Sequence, residues 1–103
     1  MSLVREATRI TEEYSALSNV YRTMILAYLI ARNRGSWSEI KRFLESNLGS
    51  VNPNTLHFHL KALIQSGFIV TVGSEEKPSY QIGELPKGIR QHVGKVASLI
   101  GSG

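Results

Sequence analysis

A mainly α fold carrying one small β-hairpin is what this chain predicts, and three features predict it. Apolar residues recur at helical spacing in five separate windows. Gly, Ser, Asn and Pro fall where those windows would start and stop. One stretch, FIVTVGSEEKPSYQI from Phe68 to Ile82, has the β-branched and aromatic runs around turn chemistry that make a hairpin.

In the first window Leu3, Ala7, Ile10, Tyr14 and Leu17 share one side, with Arg5, Arg9, Glu12 and Glu13 between them. This is the pattern of an amphipathic N-terminal helix. Ser18 or Asn19 then caps a second helix to about Arg34, whose Ile25, Leu26, Leu29 and Ile30 form the wide stripe of a core element, and Gly35 stops it. A third helix starts at Ser36 or Ser38, since Ser36 with Glu39 three residues on fits a capping box, and runs to Leu48 with Ile40, Phe43, Leu44 and Leu48 inward. Gly49 is its stop. Asn52 as cap and Pro53 at the first helical position, where its missing N–H costs nothing, open a fourth helix that ends near Ser66 and Gly67. After the hairpin, Ile89, Val93, Val96 and Ile100 mark a last amphipathic helix. The chain divides as one domain over residues 1–103: an N-terminal helix (1–14), a core (15–83) and a C-terminal helix (86–100).

With 103 residues and 42% hydrophobic content there is room for one modest core and little for a deep catalytic pocket. The formal charge of +4 and a pI near 9.7 favour an anionic partner such as nucleic acid. The absence of cysteine excludes disulfides and thiolate metal sites and favours a cytoplasmic location. MILAYLIA, the longest apolar run, is far shorter than the roughly 20 residues that span a bilayer, so no membrane segment is expected.

The fourth helix carries the functional signal. At about 100° per residue, Leu56, Leu60, Leu63 and Ile64 fall on one side, while Asn54, Phe58, Lys61 and Gln65 fall opposite. An outward Phe58 breaks the usual rule for a surface helix. Two helices joined by a tight turn, the second with small polar residues near its start, match a helix-turn-helix whose second helix enters the DNA major groove. Asn54 then suits adenine, Thr55 a base or phosphate, Phe58 a thymine methyl and Lys61 a phosphate. The alternative is a solvated face with Phe58 covered by a neighbouring chain. In the hairpin, Lys77 and Ser79 are candidates for a backbone contact, whereas Glu75 and Glu76 oppose one, and a purely structural hairpin fits the same residues. His57 and His59 point about 200° apart on a helix and cannot share a metal ion; His57 flanks the DNA side and His59 packs beside the core. No nucleophile motif or phosphate-cradling loop is present, so neither enzymatic activity nor a cofactor is expected.

Three stretches, ALSNVYRTMILAYL (Ala16–Leu29), SEIKRFLESNLG (Ser38–Gly49) and NTLHFHLKALIQSGFI (Asn54–Ile69), resemble the winged-helix regulators of the ArsR type and their archaeal relatives. HLKALIQSGFI is the most specific part. The resemblance implies a winged helix-turn-helix that binds double-stranded DNA as a homodimer, with the fourth helix in the major groove and the hairpin as the wing. It implies that Asn52, Asn54, Thr55, His57 and Phe58 face DNA, and that Leu60, Leu63 and Phe68 join helix to wing. The cysteine, or carboxylate and histidine, ligands of metal-sensing members have no counterpart here, so no metal is expected.

The family also pairs its terminal helices across a two-fold axis. Leu3, Ala7, Ile10, Ile89, Val93, Val96 and Ile100 need cover that a small domain has difficulty supplying, and they are therefore the expected dimer interface, the alternative being that both helices pack on their own domain as a monomer. Two-fold symmetry then predicts half-sites about 34 Å apart. The expected function is that of a sequence-specific transcriptional regulator acting by operator occupancy. The alternatives are a low-specificity architectural DNA-binding protein and a protein-interaction adaptor.

Overall fold

A computed structural model describes residues 2–13 and 19–100. In chain order it contains α1 (Leu3–Glu13), α2 (Val20–Arg32), β1 (Gly35–Ser36), α3 (Trp37–Leu48), α4 (Pro53–Gln65), β2 (Ile69–Gly73), β3 (Pro78–Ile82) and α5 (Lys87–Ala97). The strands form one antiparallel sheet in the order β1-β3-β2. This is a mainly α architecture with a small hairpin, compatible with a winged helix. Tyr14, Leu17 and Ser18, assigned from the sequence to the first helix and the next cap, lie outside the described residues. No helix among those described is long and apolar enough to cross a membrane.

The helix boundaries follow local chemistry. Asn19 caps α2, its Oδ1 accepting from the Tyr21 N–H at 2.8 Å. At its other end α2 stops at Arg32 and not at Arg34, because Asn33 turns left-handed at φ 69°. That early stop frees Gly35 and Ser36 to pair with Tyr80 and Ser79, a strand too short to show any periodicity in the sequence. The capping box of α3 is complete: Ser36 Oγ accepts from the Glu39 N–H at 3.1 Å, and the Ser36 N–H donates to Glu39 Oε1 at 2.9 Å. At the end of α4, Gly67 (φ 80°) closes a Schellman motif in which its N–H donates to the Ile64 carbonyl and that of Phe68 to the Leu63 carbonyl. The hairpin exit is pressed against this same point, since the Gly83 and Glu84 N–H groups donate to the carbonyls of Phe68 and Gly67 at 2.8 and 2.9 Å.

The core is built around α2. Met24, Ile25, Leu26, Ala27 and Leu29 are all buried, which surrounds this helix with neighbours on nearly every side. α1 and α5 pack against it and against each other, α3 and α4 cover another part, and β3 adds Tyr80. A polar pin joins α1 to α2. Thr11 donates to the Ala7 carbonyl at 2.8 Å, so the fully buried Thr23 hydroxyl must donate to Thr11 Oγ1, 2.5 Å away.

The terminal-helix stripes find cover inside one chain. Ala7, Ile10, Ile89, Val93 and Val96 are buried within a single chain, and only Leu3 and Ile100 keep partial exposure. Much of this cover comes from α2, because both terminal helices fold back onto its apolar surface. α5 is also shorter than expected, ending at Ala97 with a turn through Ser98–Ile100. Ile64, expected inward on α4, is instead 39% exposed, since the packing of α4 against β2 and α2 leaves its flank open.

Two glycines give opposite expectations. A Cβ on Gly83 would strike the Gly67 backbone carbonyl, and neither backbone can yield without breaking the hairpin exit. Gly83→Ala is therefore expected to lower stability by about 1–3 kcal/mol in urea denaturation. Gly94, inside α5, has nothing within 4 Å of its would-be Cβ, so Gly94→Ala should raise stability by roughly 0.5–1 kcal/mol. A neutral Gly83→Ala would mean that the hairpin is not seated on α4.

Candidate nucleic-acid interface

The turn between α3 and α4 is tied down at several atoms. Gly49 (φ 86°) ends α3 with its N–H on the Glu45 carbonyl, and the Glu45 carboxylate accepts from Lys41 Nζ at 3.0 Å and from the Val51 N–H at 3.4 Å. The Lys41 hydrogen bond, then that from Val51, holds the Glu45 carboxyl below its ordinary pKa. Buried Val51 anchors the turn in the core. Asn52 then caps α4, its Oδ1 accepting from the Asn54 N–H at 2.8 Å, so this side chain keeps both amide N–H donors for another partner.

α4 shows the expected two faces. Leu56, His59, Leu60 and Leu63 are buried, whereas Asn54, Thr55, His57, Phe58, Lys61 and Gln65 are exposed. Phe58 is 62% exposed, a large apolar side chain left in water in the middle of a polar stripe. α4 carries no acidic residue, so the positive end of its dipole and Lys61 act without a compensating carboxylate on the same helix.

The hairpin candidates fall on a different part of the surface. Lys77 is exposed, with its N–H on Ser74 Oγ, and Glu75 and Glu76 are exposed beside it. Ser79 is half-buried, paired with Val72 on one side and Ser36 on the other. Both line a cleft of about 460 Å³ with Trp37 and Ser38 of α3. Trp37 and Ser38 also line a second groove, of about 480 Å³, with Arg42 and Pro53. The first turn of α3 thus separates the tip of the hairpin from the start of α4.

Beneath Phe58 lies a cluster that residue spacing did not reveal. Arg22, from the first turn of α2, donates its Nε–H to His59 Nδ1 at 3.1 Å, and its guanidinium lies 5.7 Å from the Phe58 ring centroid. The Tyr21 ring stacks on His59 at 5.7 Å, and Phe58 meets His59 edge-on at 5.6 Å. Arginine can only donate, so Nδ1 of His59 is an acceptor and the imidazole carries its proton on Nε2. Burial first, then the Arg22 cation, pushes the His59 pKa below its ordinary value. One signal for Arg22 was present in the sequence: a cation in a helix's first turn, where the dipole favours an anion.

His57 points to solvent while His59 points into the protein, and among the described residues no three His, Cys, Asp or Glu side chains are grouped as metal ligands would be. His92 makes a local contact on α5, its Nδ1 2.9 Å from the Gly88 carbonyl.

The sign of the His59 shift sets a pH dependence. As pH falls through the unfolded value of 6.5 the unfolded chain takes up the proton first, so the contribution of neutral His59 to stability is present above 6.5 and is lost as pH falls through the lower, folded pKa. Comparing urea midpoints at pH 8 and pH 5 for the parent and His59→Asn should show the larger acid loss in the parent. Equal losses would place His59 in a solvated environment.

Comparisons with protein-family models, with curated proteins and with solved structures return no significant match to this chain.

Proposed function

We propose that this protein is a winged helix-turn-helix regulator that binds duplex DNA sequence-specifically by laying α4 in the major groove. The observation that carries the proposal is the acid-free stripe Asn54, Phe58 and Lys61 on a helix whose opposite face is locked into the core. A major groove about 12 Å wide admits one such helix. The capped, proline-started N-terminus holds Asn54 and Thr55 at fixed positions, which hydrogen bonding to base edges requires. In the docked arrangement the Asn54 amide pairs with adenine N6 and N7, Phe58 packs on a thymine methyl, and Lys61 and His57 lie toward the flanking backbone. The hairpin, beside the first turn of α3, supplies Lys77 and Ser79 to a more distant phosphate, with Glu75 and Glu76 limiting how closely its tip approaches.

A second reading is a docking module for another protein. It draws on the exposed Phe58 together with Ile64 and Val70, which are 39% and 43% exposed.

Selection of bound duplexes from a random pool, followed by salt-titrated binding, separates the readings. A regulator enriches a defined site and prefers it to random duplex by about 10³-fold or more. An enriched palindrome would add a two-fold assembly, while an absence of preference would indicate architectural binding. On the enriched site Asn54→Ala should cost about 1–3 kcal/mol and relax one base position. Lys61→Ala should weaken all sequences alike and reduce the salt slope by about 1. Unchanged affinity in both variants would sink the proposal in favour of protein docking.

A further inference from the structure

Arg22 stands in an unusual position for a surface cation. It lies in the first turn of α2, where the helix dipole opposes it, and no carboxylate is paired with it among the described residues. Its fixed partner is a neutral acceptor, Nδ1 of the buried His59. A guanidinium has five N–H donors in one plane; this contact uses Nε–H and leaves the four on the Nη atoms. A carboxylate partner would have cancelled the charge, whereas an imidazole orients the plane and leaves the charge intact. The guanidinium sits beside the Phe58 ring, on the border of the exposed α4 stripe. An arginine that is oriented, without a carboxylate partner among the described residues, and adjacent to the exposed face of α4 has the geometry of a phosphate fork.

We propose that Arg22 grips a DNA phosphodiester flanking the bases read by α4, and that His59 is the positioning residue that aims it. The inference rests on duplex DNA binding by α4 and adds the residue that sets the docking register of that helix. The Tyr21 ring stacked on His59 and the Phe58 ring edge-on to it hold the imidazole in one orientation. Protonation of His59 removes the acceptor and sets two cations side by side, so acid releases Arg22 from its place. Arg22 and Tyr21 are the charged and titratable groups that face His59 from α2, and β2, the other element packed closely on α4, has no titratable residue.

The test needs one readout without DNA and one with it. By NMR of the labelled protein, His59 should be the Nε2–H tautomer and its titration should move up toward an ordinary histidine value in Arg22→Gln. On an enriched duplex, Arg22→Gln should weaken binding about tenfold and lower the salt slope by about 0.9, the value for one phosphate contact. His59→Asn, whose Oδ1 replaces Nδ1 as acceptor, should bind like the parent at pH 8, and His59→Leu should bind like Arg22→Gln; thermal melting confirms that each variant is folded. The acid effect is read as the ratio of parent to His59→Asn affinity, which should fall below one as pH drops through the lowered His59 pKa. If Arg22→Gln leaves affinity and slope unchanged while Lys61→Ala alters both, the Arg22 contact is wrong and groove binding by α4 stands. If the folded parent binds no duplex, both fail together.

Discussion

The whole arrangement depends on α2 being apolar almost all the way round. A helix with Met24, Ile25, Leu26, Ala27 and Leu29 buried has no water-facing side to spare, and the remaining elements are what cover it. Each of the Met, Ile and Leu side chains contributes about 1.5–3 kcal/mol when fully removed from water, and the Ala27 methyl less, so coverage of α2 by its neighbours is strongly driven. The terminal helices are thereby part of the core and not appendages to it. Thr23 adds direction to this packing, because its buried hydroxyl has to meet Thr11 and so sets how α1 lies on α2.

That buried hub also positions the exposed stripe. α4 is held by Leu56, Leu60 and Leu63 on the core side, by its Asn52 cap at one end and by the Gly67 turn with the hairpin exit at the other. With three constraints on a helix of 13 residues, the outward side chains have little rotational freedom about its axis. Exposure of Phe58 is then a consequence of where the leucines are, and its surroundings are supplied by α2 through Arg22 and Tyr21. A polar cluster at the join of two helices costs desolvation, and here every buried member of it has a partner.

The comparison of sequence with structure separates along physical lines. The capping box at Ser36 and Glu39, the Asn52–Pro53 start of α4, the Gly49 and Gly67 stops and the hairpin about Ser74–Lys77 all emerge as read, because each is decided by groups within a few residues. So does the division of α4 into Leu56, Leu60 and Leu63 inward and Asn54, Phe58 and Lys61 outward. Strand β1 and the end of α2 at Arg32 were not legible. Two residues carry no period, and their hydrogen-bond partners belong to a strand much later in the chain. The stripes of α1 and α5 were recognised as needing cover, but periodicity names the face to be buried and is silent on what buries it.

From the sequence alone came the five helices and the hairpin, most of the caps, and the face that α4 turns outward, since these follow from 3.6-residue and two-residue periods and from local hydrogen bonding. Only the tertiary structure decided that the terminal helices close over α2 in one chain, that the hairpin tip lies across the first turn of α3 from the start of α4, and that Arg22 reaches His59. Those outcomes depend on which distant surfaces fit together in three dimensions, and a one-dimensional pattern of apolar and polar residues carries the demand for burial without the identity of the partner.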